Sequence, residues 1–151
     1  MIDAVADLYR RHALIEASIE DVWSVVCDPQ THPGWWPELN GVEVGEHGEY
    51  TRSARRFGFL DVVDSVWTVE PIEHLREVNF RCIATGTYTR FALTPAQDDT
   101  FVELESGVVP TGLQGRVTKV ISPVLFPRWL RELLDGLPNA VARAQQRDSS
   151  S

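Results

Sequence analysis

Cysteine is scarce in this chain of 151 residues, and the two it has belong to no recognisable motif. Cys27 and Cys82 sit far apart inside apolar-patterned segments, without the spacing of a metal-ligand set, so they read as reduced, buried thiols. Histidine is equally thin. His12, His32, His47 and His74 stand singly, with no HExxH pair, so neither a metal nor any other cofactor is implied. Ser18, Ser65 and Ser106 lack a nucleophile elbow, and no glycine-rich phosphate loop occurs, which leaves a hydrolase triad and a nucleotide site unsupported. Positive charge is short as well. Fourteen basic residues face 22 acidic ones, for a net −8, and the cations are scattered singly or in short groups such as "RSARR" (Arg52 to Arg56). Nucleic acid is therefore not an expected partner. No apolar run approaches the roughly 20 residues of a membrane span. The opening "MIDAVADLYRRH" has acids where a secretory signal needs a basic start and an apolar middle, so the chain reads as cytoplasmic.

What is present suffices for one core. At 43% apolar, the chain fits a single domain over residues 1–147, with 148–151 as a disordered tail. "YRRHALIEA" (Tyr9 to Ala17) reads as a strand. Ser18 then serves as N-cap for a short helix ending at Asp28-Pro29, with Val22, Val25 and Val26 on one face. Two adjacent tryptophans follow in "DPQTHPGWWPELNG" (Asp28 to Gly41), where prolines and glycines forbid a long helix or a strand. Six further strands come next, in "GVEV", "YTRSARRFGF", "VVDSVWTVE", "LREVNFRCIA", "TGTYTRFALT" and "TFVELESGVV". Their connections are short, so neighbours are antiparallel. From Gln114 to Gln146, Val117, Val120, Ile121, Val124, Leu125, Leu130, Leu133, Leu134, Leu137 and Val141 recur at helical steps. Pro123, Pro127 and Gly136-Leu137-Pro138 predict kinks or a break.

A seven-stranded antiparallel sheet with one long final helix must wrap that helix to cover its apolar face. Alternation predicts an inward set of Val63, Ser65, Trp67 and Val69, then Val78, Phe80 and Cys82, then Thr87, Thr89, Phe91 and Leu93, then Val102, Leu104 and Ser106. Mixing Ser and Thr with aromatics is how ligand cavities are lined.

The stretch "IEASIEDVWSVVCDPQTHPGWWPELNGVEV", with "FALTPAQDDTFVELES" and the leucine-rich final helix, resembles the START-like (Bet v 1-like) superfamily in its bacterial polyketide cyclase/dehydrase branch. The resemblance implies an α+β helix-grip fold: a curved seven-stranded antiparallel sheet around a long C-terminal helix, with two short helices after the first strand. It also implies a deep cavity for lipids, polyketides or other hydrophobic small molecules. Trp35 and Trp36 would then lie at the seam closing the sheet against the long helix. One can anchor the loop while the other meets ligand. Trp67, at the cavity floor, is open between core and ligand contact, and Trp129 between lid and seal. Phe57, Phe59, Phe80 and Phe91 are expected to be shared by core and cavity wall, and Ser65, Thr89 and Ser106 are its polar lining.

Cyclases of this fold close a poly-β-ketone by proton removal, enolate stabilisation and loss of water. That chemistry needs a cation or donor near the oxyanion and a proton acceptor. The candidates are Arg55, in alternation with Phe57 and Phe59, and Tyr88, in alternation with Arg90; Arg81 and Arg90 read as solvated, opposite Phe80 and Phe91. Three functions are open: a carrier or sensor of a hydrophobic small molecule, a polyketide aromatase/cyclase or dehydratase, and a co-chaperone-like interaction module. The first is expected, because no catalytic set can be defined. Monomer and homodimer are both compatible with the sequence.

Overall fold

The computed structural model describes residues 9–36, 39–45, 49–55, 62–109 and 112–150. Strand β1 (Tyr9–Ile15) leads into helix α1 (Ile19–Val26), a 3-10 helix (Pro29–Gly34), and strands β2 (Leu39–Val44), β3 (Glu49–Arg55), β4 (Val62–Ile72), β5 (Glu77–Cys82), β6 (Thr87–Ala96) and β7 (Asp99–Val108). The chain closes with helix α2 (Gly112–Ser150). Among the described residues the strands form one antiparallel sheet in the order β1-β7-β6-β5-β4-β3-β2. The expected helix-grip architecture is thus present.

The turn after α1 follows from its side chains. Ser18 accepts a hydrogen bond from the Asp21 amide at 3.2 Å, capping the first turn. The last carbonyls of a helix have no partner within it. Here the Thr31 hydroxyl donates to Val25 O at 2.7 Å and the His32 ring to Val26 O at 3.1 Å. Pro29 starts the 3-10 helix and Asp28 caps it, accepting from the Gln30 amide at 3.0 Å. This short helix delivers Trp35 and Trp36 into the core, where they are 5% and 3% exposed. Each ring buries about 200 Å², a gross apolar stabilisation of roughly 5 kcal/mol.

Helix α2 packs on β1 and β7 and against α1. Arg143 donates to Gly34 O at 2.9 Å, and Gln145 to the Asp21 carboxylate at 2.8 Å. Two expectations are corrected here. The break expected at the prolines is absent, and the helix runs on through Pro123, Pro127 and Pro138 to Ser150. Pro123 and Pro138 lie on its exposed side, where water can satisfy the carbonyls left without donors. Gly136 reflects close packing instead: a Cβ there would stand 2.7 Å from Trp35 O. Among the described residues, the buried stripe of Phe126, Leu130, Leu133, Leu134, Leu137 and Val141 lies in the second half of the helix. Val117 and Val120, expected to grip the sheet, are 54% and 78% exposed. Their steps place them on a different face from Leu130.

Candidate functional site

Strand β3 brings an unexpected side chain inside. Tyr50 and Arg52, two residues apart, point to the same face as Trp67 and Ser65, which stand opposite them on β4. Arg52 is 3% exposed. Its guanidinium carbon lies 3.8 Å from the centre of the Trp67 ring and 4.1 Å from that of Trp36, with Tyr50 at 5.9 Å. Trp36 also stacks on His32, centroids 4.5 Å apart and 19° from parallel. Phe80 and Trp129 meet Trp36 edge-on at 5.5 and 5.9 Å, and Phe91 lies 6.0 Å from Phe80.

The electrostatics of this cluster are unusual. A cation over a desolvated indole gains about 2 kcal/mol or more, and Arg52 has two such rings within 6 Å. Its Nε and Nη2 nevertheless have no hydrogen-bond partner among the described residues. Burial pulls the Arg52 pKa down from its ordinary value and pushes that of Tyr50 up, and the Arg52 charge opposes the shift at Tyr50. His32 Nδ1 is buried without a partner among the described residues, and the Tyr50 hydroxyl faces the Arg52 guanidinium. Burial lowers His32 to about 3, against the hydrogen bond to Val26 O and with a smaller contribution from Arg52, so the ring is neutral at physiological pH. With Nε2 facing that carbonyl, the proton sits on Nε2 and Nδ1 carries a bare lone pair.

The expected lining residues divide into three groups. Trp36 and Trp67 enclose Arg52; Phe80 and Phe91 form the wall behind them; Trp35 packs on Phe91 at 5.8 Å, and its Nε1 donates to Thr31 Oγ1 at 3.2 Å. Ser65, Thr89 and Ser106 are turned inward but already occupied. Ser65 Oγ accepts from Trp67 Nε1 at 2.9 Å, and Thr89 and Ser106 bond to each other at 2.9 Å. Trp129 is half-buried at the border of the cluster. Phe57 and Phe59 lie outside the described residues, as does the side chain of Arg55 at the end of β3.

Tyr88 is not brought to the cluster. It lies on the other face of the sheet from Thr89, where its side chain covers Gly107, the hydroxyl oxygen 2.8 Å from the position a Cβ would take. On that outer face Arg90 pairs with Glu77 at 3.0 Å. Sequence reasoning missed Tyr50, Arg52 and His32. The available signal was the alternation of β3 itself: once Tyr50 is inward, Arg52 must follow.

Among the described residues, buried polar side chains include no carboxylate, and no three His, Cys, Asp or Glu gather where they could share a metal ion. Two surface grooves open elsewhere. One, of about 480 Å³, runs between β1 and α2 beside Arg11, Leu130 and Arg131; the other, of about 790 Å³, lies between the 3-10 helix and the end of α2, beside Thr31 and Arg143. Neither includes Arg52 or Trp67.

The family model described as "Polyketide cyclase / dehydrase and lipid transport" matches residues 9–142. No curated protein matches the chain. Solved structures share the fold at low identity. A protein of Thermus thermophilus has a TM-score of 0.71 at 19% identity, covering 91% of this chain and 98% of its own. A START superfamily protein from Mycobacterium smegmatis gives 0.69 at 19%, with 91% and 99% covered. The Zhui aromatase/cyclase from Streptomyces sp. R1128 gives 0.69 at 15%, with 93% of each chain covered.

Proposed function

The chain belongs to the polyketide cyclase / dehydrase and lipid transport family, and from that premise we propose that it binds a hydrophobic small molecule carrying a carboxylate or carbonyl oxygen, as a carrier or sensor. The observation that carries this reading is Arg52, a buried cation with two unsatisfied donors in an aromatic box. A guanidinium donates only in its own plane, and indoles flank it within 4.1 Å, so an acceptor must arrive edge-on. Such a donor left unmet is costly and becomes favourable once an anionic or carbonyl oxygen takes it. The aromatic walls would hold the apolar remainder, and the half-buried Trp129 would part to admit it.

A second reading, cyclase or dehydratase turnover, draws support from the pairing of Arg52 with Tyr50, since the two could steady an enolate oxygen. It is weaker because proton removal needs an acceptor. The described interior holds no carboxylate, and a histidine with a pKa of about 3 is a poor base. The co-chaperone-like reading gains no observation of its own.

Isothermal titration with decanoic acid, 2-decanone and decanol, on the wild type and on Arg52→Met, tests the proposal. A charge-assisted bond of about 1.5–3 kcal/mol corresponds to roughly 10- to 100-fold in affinity. That loss is expected for the acid, a smaller one for the ketone and little change for the alcohol. Equal weakening of all three would remove Arg52 from recognition. Aromatic product formed from a poly-β-ketone thioester would replace the carrier reading with turnover.

A further inference from the structure

The first half of α2 carries apolar side chains on its outside. Leu113, Val117 and Val120 are 77%, 54% and 78% exposed. Steps of four and three residues place them on one helical face, spanning about 10 Å along the axis. Continued by steps of four, four and three, the same face reaches Arg128 and Arg131, and the exposed Arg116 flanks it. Arg128 is 75% exposed and also holds Glu132 at 2.8 Å. Residues 112–131 contain Arg116, Lys119, Arg128 and Arg131 and no acid, in a chain of net −8, so the remainder is twelve charges more acidic than basic.

We propose that this half of α2 is a docking face for an anionic bilayer surface. The helix lies in the plane of the interface, with Leu113, Val117 and Val120 below the phosphates and Arg116, Arg128 and Arg131 among them. An exposed aliphatic stripe bordered by cations is what such a surface binds, by apolar burial together with attraction to anionic headgroups. No helix among the described residues is long and apolar enough to cross a membrane, so contact is superficial. The acidic remainder of the molecule is repelled by the same surface, which fixes the orientation with α2 towards the lipid. A second copy of the chain fits less well, because a two-fold contact would set this cationic face against itself. A folded acidic partner would call for an aromatic anchor, and the described exposed stripe is aliphatic.

Co-sedimentation of the full chain with vesicles tests this, using phosphatidylcholine alone or with about 30% phosphatidylglycerol. Binding to the mixed vesicles should exceed that to phosphatidylcholine at least tenfold and fall with added salt, by the rough scale of ~1 kcal/mol per basic residue at the surface. The double variant Val117→Asp/Val120→Asp should lose at least about tenfold. Arg116→Gln should lose roughly fivefold, on the mixed vesicles only. Unchanged far-UV spectra and melting temperatures check that both variants fold. Absence of binding, equal binding to both vesicle types, or binding insensitive to these variants would overturn the proposal. Self-association abolished by the double variant, without vesicle binding, would assign the face to a second copy instead.

Discussion

His32 enters the folded state as a neutral ring, and that fixes a pH dependence. Its pKa falls from 6.5 to about 3 on burial, so between those values the unfolded chain binds a proton that the folded chain does not. The stabilisation is complete above pH 6.5 and is lost as pH falls towards 3, by at most about 1.4 kcal/mol per pH unit. Urea unfolding of wild type and His32→Leu between neutral and mildly acidic pH should show the steeper loss in the wild type. Parallel curves would mean that the ring does not resist protonation. Arg52 makes a different prediction. Its burial without a carboxylate partner among the described residues is costly, so Arg52→Met should leave the melting temperature unchanged or raise it. A loss above about 2 kcal/mol would mean that the indole contacts outweigh desolvation and that the residue serves the fold. These residues also mark where reading the sequence stopped short. Trp67, Phe80 and Phe91 were legible as inward-facing from alternation alone, whereas Arg52 was hidden by its chemistry, because a cation in an amphipathic strand reads as solvated.

At the scale of elements, the strands were legible because each alternates and is bounded by turn residues, and the capped α1 because Ser18 and its valine face are local signals. Helix α2 was less so. Gly136 belongs to a triplet that reads as punctuation, yet it lies inside the helix beneath Trp35. Helix propensity predicts that Gly136→Ala stabilises by up to about 1 kcal/mol. The approach to Trp35 O predicts the opposite sign, a loss of about 1–3 kcal/mol, since backbone cannot step aside as a side-chain tip can. Thermal denaturation decides between them, and stabilisation would show that the Trp35 turn is loosely seated. The helical period of α2 was also read as one continuous gripping face. Among the described residues it is two faces, because the steps of Leu113, Val117 and Val120 do not fall in line with those from Phe126 onward, a difference that only the docked structure reveals.

At the scale of the whole molecule, β1 must find β7 across the five strands between them in sequence, setting Ile15 against Thr100, before the sheet can accept α2. Pairing of this kind is non-local, so folding should take milliseconds to seconds. Stopped-flow circular dichroism can measure it, and microsecond folding would imply that α1 and α2 assemble first without the sheet. The order of the strands also leaves β1 and β2 at opposite rims, each with one side unpaired among the described residues. An open rim is a template for amyloid-like growth, and both rims carry obstacles to it. Strand β1 presents the exposed Arg10, Arg11 and His12, while β2 slips register between Leu39 and Gly41 and carries the exposed Glu43. Like charges in stacked copies and a misaligned ladder both oppose addition of another strand. Resistance to fibril formation is thereby written into the same two strands that end the sheet.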